Sequence, residues 1–132
     1  MLQEYLKKLC KEFNIELPEL NGEKFYPFRF GEELILIKDL HPGASFYASI
    51  CEVPTQKKEE LFMFLMRANL LGQGTGLSRI GLDANEKFLT LSLGLPYEIN
   101  YPTFRDTFED FVNYLIYWRE EVAKLEHEER IL

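Results

Sequence analysis

The chain has few of the residues that usually carry chemistry. Its 132 residues include two cysteines, Cys10 and Cys51, and two histidines, His41 and His127. The cysteines are isolated and have no CxxC spacing, which gives no support to a zinc site or a disulfide framework and fits a reducing cytoplasm. Neither cysteine is expected at a helix N-terminus or beside a basic cluster, so both are read as small core or half-core residues. His41 precedes a proline in a turn and His127 lies in a charged tail, so both are expected on the surface. No nucleophile, base and oxyanion donor can be assembled, and the chain is read as a non-enzyme with no cofactor and no metal.

Long hydrophobic runs are also missing. The run Leu61 to Met66 is far shorter than the ~20 residues of a bilayer crossing. Met1 to Phe13 alternates charge with apolar residues, unlike the unbroken stretch of a secretory signal. Positive charge is in deficit, with 15 Lys and Arg against 22 Asp and Glu, for a net charge of -7. That balance disfavours a nucleic-acid backbone or an anionic membrane, because both would repel the chain. Basic or apolar partners suit it better.

Apolar residues are plentiful, at 46% hydrophobic and 14% aromatic. They suffice for one compact domain over residues 1–132. Leu2, Leu6, Leu9 and Phe13 recur at helical spacing and predict an amphipathic first helix ending near Asn14 and Pro18. Three strands follow. Phe25 to Phe30 contains Pro27 and is therefore placed at a sheet edge or on a bulge. Leu34 to Ile37 reads as a central strand, and Ser45 to Val53 alternates Phe46, Ala48 and Ile50 against Ser45, Tyr47 and Ser49.

The stretch Pro54 to Asp83 organises the rest. Thr55 is the expected N-cap, Glu59 and Glu60 suit the helix dipole, and Gly72 marks the stop. The six apolar residues from Leu61 to Met66 cover every face of this helix. A chain of this size is normally two layers thick and leaves one face of each helix wet, so the second face needs a cover. A second copy about a two-fold axis is the economical one. Burial by helices from both ends of the same chain is the alternative.

After this helix, Leu77 to Leu82 and Lys87 to Leu95 predict a hairpin about Asp83 to Glu86, with Leu89, Leu91, Leu93 and Leu95 on one side. Thr103 with Asp106 predicts the start of the last helix. Its stripe is Phe104, Phe108, Phe111, Leu115, Trp118, Val122 and Leu125. The acidic tail over 125–132 is expected to fray.

Gly72-Gln73-Gly74-Thr75-Gly76 invites a phosphate-loop reading, but it closes a helix and opens a strand, and no Lys-Ser or Lys-Thr pair follows. Gly72, Gly74, Thr75 and Gly76 are more simply a structural turn. A small ligand-binding domain using this turn remains an alternative function.

Arg67-Ala68-Asn69-Leu70-Leu71-Gly72-Gln73-Gly74-Thr75-Gly76 and the following Ile80-Gly81-Leu82-Asp83 resemble the signature of the class I type III secretion chaperones, the group that includes the Tir chaperone. Leu89-Thr90-Leu91, the Leu95-Pro96 step and an aromatic last helix fit as well. The resemblance implies an α+β chain in the order α-β-β-β-α-β-β-α, with a twisted antiparallel sheet, helices packed on it, and a dimeric assembly. It implies a bacterial cytoplasmic chaperone that binds the N-terminal segment of a secreted effector or translocator in extended form and delivers it for secretion. Neither nucleic acid nor membrane is a partner. A homodimer is expected, and a heterodimer with a related chaperone remains open. The expected dimer interface comprises Leu61, Phe62, Phe64, Leu65, Ala68, Leu77, Arg79 and Ile80. The expected client-binding residues are Tyr5, Leu6, Leu9, Phe13, Phe28, Phe30 and Phe46, with plain core packing the alternative for each. An adaptor of the same fold, holding a non-secreted partner such as a transcription factor, is a further alternative.

Overall fold

Leucines at four- and three-residue spacing wind the N-terminal segment into α1 (Leu2–Phe13), which buries Leu2, Leu6, Leu9 and Cys10. Asn14 takes a φ of 54°, and the Ile15 amide donates to the Cys10 carbonyl at 2.9 Å. This is a Schellman closure on a residue that tolerates the left-handed region. The computed structural model describes residues 2–22, 24–55, 58–71 and 78–131, apart from the side chains of 70, 71 and 125–131.

The elements that follow are β1 (Tyr26–Phe30), β2 (Glu33–Asp39), β3 (Ala44–Glu52), α2 (Lys58–Leu71), β4 (Arg79–Leu82), β5 (Phe88–Leu95) and α3 (Tyr101–Ile131). Their order is the expected α-β-β-β-α-β-β-α, and the strands form one five-stranded sheet in the order β1-β2-β3-β5-β4. β1 stands at the edge, one of the two places that Pro27 allows, and pairs antiparallel with β2 through Pro27↔Leu36 and Phe28↔Ile35. β2 is longer than the apolar run that marks it, because Glu33 and Lys38 join its ladders. Arg79↔Ser92 to Leu82↔Leu89 pair β4 with β5 in the expected hairpin. Asp83 builds its turn, accepting the Lys87 and Phe88 amides on Oδ1 at 2.8 and 3.2 Å.

The start of α3 departs from expectation. The N-cap is Asn100, whose Oδ1 accepts the Thr103 amide at 2.9 Å, not Thr103. Pro102 lies in the first turn, where a missing N–H costs nothing. The helix runs to Ile131. α2 begins at Lys58, and the residues between Thr55 and that start lie outside those described, so the Thr55 cap does too.

The chain divides into two compact units, Met1–Ala48 with Leu93–Phe111, and Ser49–Ser92 with Val112–Leu132. β3, β5 and α3 contribute residues to both. In the first unit the core is aromatic. Phe108 has ring centroids at 5.1 Å from Phe28, 5.9 Å from Phe30 and 6.3 Å from both Phe13 and Phe46. Tyr5 donates its hydroxyl to the Ile99 carbonyl at 2.7 Å, and Gly43 lies with its backbone against Leu95 and Tyr97.

In the second unit α2 turns Leu61, Leu65 and Ala68 inward, at 4–7% exposure, the i, i+4, i+7 stripe of a single buried face. Phe64 packs edge-on to the buried Trp118 with centroids 5.8 Å apart. Arg119 donates to the carbonyls of Ile50 and Ser49 at 2.8 and 2.9 Å, holding α3 to the end of β3. Asn69 bridges α2 to β4, its Nδ2 donating to the Ile80 carbonyl at 2.7 Å and its Oδ1 accepting the Ile80 amide at 2.8 Å. The side-chain amide thus pairs with the strand as another peptide group would. Asn69→Asp keeps the acceptor but sets a carboxylate against a carbonyl oxygen. The expected cost is about 2–3 kcal/mol at neutral pH. Part of it should return when the introduced carboxyl is protonated and can donate again. Urea midpoints at pH 7 and pH 4, each read against the unsubstituted chain, check this.

Candidate functional site

Among the described residues no group of three His, Cys, Asp or Glu could hold a metal ion. Burial pushes the Cys10 thiol up, away from the reactive thiolate. His41 lies in the β2–β3 turn with an exposed side chain, its Nδ1 3.4 Å from Asp39 Oδ1. Burial, and then the neighbouring Glu12 carboxylate, hold the Tyr101 hydroxyl up to about 12, protonated throughout the neutral range. The turn residues Gly72, Gly74, Thr75 and Gly76 lie outside the described residues, as does Leu77.

The described residues present two apolar surfaces. The first is the outward face of α2. Met63 is 56% exposed, Met66 69% and Phe64 40%. With Arg67, Asn69 and Arg79 the two methionines line a groove of about 670 Å³. A second hollow of about 300 Å³ runs between α2 and the β4–β5 hairpin, lined by Phe62, Leu65, Met66, Ile80 and Leu82 among others. Contiguous exposed apolar surface of this kind marks an interaction site. The expected interface list is corrected in part. Leu61, Leu65, Ala68 and Ile80 are buried within their own unit, because they are the side chains that fix α2 and β4 in place. Phe62 is half-buried, and Phe64 and Arg79 are exposed. Met63 and Met66, absent from that list, are the most exposed apolar side chains of α2 among the described residues.

The second surface follows the β1 edge. No described strand pairs with the outer side of β1. Phe30 at its end packs edge-on to Phe13 of α1, with centroids 4.9 Å apart. Both rings are half-buried, as is Tyr5. Leu6, Leu9, Phe28 and Phe46 are 0% exposed and are corrected from client contacts to core residues, since all four are enclosed by the core of the first unit. On the sheet face opposite that core, the register brings Pro27, Leu36 and Tyr47 into one row, with Leu34 beside it at 39% exposure. This unit therefore offers a strand edge, a half-exposed pair of aromatic rings and an apolar row.

No helix of the described residues is long and apolar enough to cross a membrane. No curated protein is a detectable sequence relative of the chain. Its fold matches a chain of the HopA1–SchA chaperone–effector complex with a TM-score of 0.69 at 10% identity, over 90% of this chain and 93% of that one. It also matches the Yersinia pestis type III secretion chaperone SycH, solved with a fragment of YscM2. The TM-score there is 0.65 at 13% identity, over 88% and 98% of the two chains. A chain of the heterodimeric ExoU–SpcU complex from the type III secretion system of Pseudomonas aeruginosa gives 0.63 at 16% identity, over 95% and 94%. At such identities the likeness speaks for the fold. The sequence itself matches the model of the Tir chaperone protein (CesT) family over residues 4–119, and the chain therefore belongs to that family.

Proposed function

We propose that the chain is a cytoplasmic, non-enzymatic type III secretion chaperone that works as a dimer. It holds the N-terminal region of a secreted effector or translocator in extended form and hands it on for secretion. The observation that carries this reading is the family match across residues 4–119. The geometry supports it in two ways. An extended segment can add a strand to the open edge of β1, so that main-chain hydrogen bonds supply affinity without demanding a particular sequence. Its alternate side chains then meet the half-exposed Phe13 and Phe30 rings, which supply apolar contact. Ordering a disordered client costs conformational entropy, which tempers the affinity and permits release. The reading takes residues 1–132 as one chaperone domain.

Phe30→Asp, alone and with Phe13→Asp, tests the edge. Each places a charge where the client's apolar side chains would sit. The expected result is client binding weakened by about 30-fold or more, read on variants whose retained fold is verified by circular dichroism and urea midpoints, because both rings also pack on Phe108. Titration of purified chaperone with a labelled N-terminal client segment measures it. Unchanged affinity in the double variant would move the client elsewhere. Tight binding to a folded, non-secreted protein in place of the segment would favour the adaptor reading.

A further inference from the structure

We propose that the β1 edge takes an extended client segment in one register, with an acidic side chain of the client opposite Arg29, and that the strand contact closes at Pro27. This rests on the chaperone reading above for the presence of a client. It adds which segment the edge accepts.

The register follows from which main-chain groups of β1 point outward. The Leu40 amide donates to the Gly43 carbonyl at 3.1 Å, and successive residues of an antiparallel strand bond to alternate sides. Counting back along the ladder, Lys38 with Ser45 and Leu36 with Tyr47 are the pairs that bond β2 to β3. Ile35 and Ile37 therefore bond to β1, where their partners are Phe28 and Tyr26. The β1–β2 turn has the same phase. Gly31, at a φ of 62°, opens a two-residue turn with Glu32, so Phe30 and Glu33 are a hydrogen-bonded pair. Pro27 and Arg29 are left facing outward. At Phe25, the next outward position, Asn21 already holds both groups: its amide donates to the Phe25 carbonyl and its Oδ1 accepts the Phe25 amide, each at 2.9 Å. Pro27 has no N–H to give. Within β1 the edge thus offers the Pro27 carbonyl and both groups of Arg29, so the full pair of bonds forms opposite Arg29.

Charge then selects the residue that pairs there. Cross-strand partners share a face, so Arg29 stands beside Leu34 on the face away from the core, next to the row of Pro27, Leu36 and Tyr47. Arg29 is exposed, and no ion pair among the described residues engages it. Lys38 sits over the Phe25 ring at 5.6 Å, while Glu33 pairs with Phe30 and so stands on the opposite face. The outer face of this edge is therefore basic in a chain of net charge -7. An Asp or Glu opposite Arg29 meets its guanidinium. The client residues on either side of that acid turn to the other face, beside the half-buried Phe13 and Phe30 rings. The segment that fits is an acid between two apolar residues.

Titration of three variants with the labelled N-terminal region of a co-expressed secreted protein tests the register. Arg29→Glu should weaken binding by about tenfold, because like charges then meet. Changing one acid of the client region to Lys should bring that variant back to within about threefold of the original pair, which also shows that it folds. Pro27→Ala supplies the missing outward donor and should tighten binding by about threefold to tenfold, a gain that damage to the fold does not produce. Lys38→Glu is the control. It reverses a charge on the same face but about 13 Å along the strands from Arg29, beyond the screening length of about 8 Å at physiological salt, and should change binding by less than about threefold. The proposal is overturned if the segment binds and Arg29→Glu costs no more than Lys38→Glu, if no acid of the client rescues Arg29→Glu, or if Pro27→Ala brings no gain. Each of those results leaves the chaperone reading standing. A chain that binds no secreted segment at all overturns both.

Discussion

Replacing Phe108 with alanine should cost about 3–5 kcal/mol and lower the denaturant midpoint sharply. Phe108 is fully buried, and it is the one ring in contact range of Phe13, Phe28, Phe30 and Phe46 at once. It therefore joins α1, the β1 edge, β3 and α3 in a single cluster. Truncation removes the transfer free energy of a large side chain and leaves a cavity bounded by stiff rings, which cannot collapse cheaply. A whole domain has about 5–15 kcal/mol of stability, so this one change removes a large share of it. Phe108→Leu, which refills most of the volume, should recover more than half the loss. Denaturant midpoints for the two variants measure the comparison. Equal losses would mean that volume does not govern the site.

Gly43→Ala should be nearly as damaging for a different reason. Gly43 has a φ of +95°, and a Cβ there would lie within covalent range of the Leu95 carbonyl oxygen and 2.8 Å from the Tyr97 nitrogen. Both are main-chain atoms and cannot swing aside. The turn between β2 and β3 and the segment after β5 must then separate, at an expected cost of about 3 kcal/mol or more. Gly31 supplies the control. It also has a positive φ, of +62°, but nothing lies within 4 Å of its Cβ position. Gly31→Ala should cost only the left-handed strain, about 1–2 kcal/mol. The difference between the two melting temperatures separates close approach from backbone strain. Equal effects would leave the close approach without energetic weight.

Some of this architecture is legible in the residues and some is not. The period of Leu2, Leu6 and Leu9 names the buried side of α1, and the alternation of Phe46, Ala48 and Ile50 names the buried face of β3. Pro27 narrows its strand to an edge or a bulge because a missing donor is tolerated at such places, and the pairing puts it at the edge. The run Leu61 to Met66 behaves differently. It announces an excess of apolar surface but has no phase, so nothing in it distinguishes Leu61 and Leu65, which face inward, from Met63 and Met66, which face out. The start of α3 misleads because Thr103 and Asp106 imitate a capping box while Asn100 does the capping. Asn69 and Arg119 bond to main-chain atoms 11 and 69 or 70 residues away. Their partners exist only once the chain has folded, so no local spacing announces them. For the proposed client surface, the sequence supplies the aromatic residues, but only packing separates the enclosed Phe28 and Phe46 from the half-exposed Phe13 and Phe30.

The central claim is that this chain holds an extended segment of a secreted protein. Amide hydrogen exchange on the purified chaperone, with and without the N-terminal region of a co-expressed secreted protein, tests it most directly. New protection should appear along β1, and the client's bound segment should be protected only in short stretches while the rest exchanges as an unfolded chain does. A client that exchanges throughout like a compact globular domain, with β1 no better protected than in the chaperone alone, would contradict it.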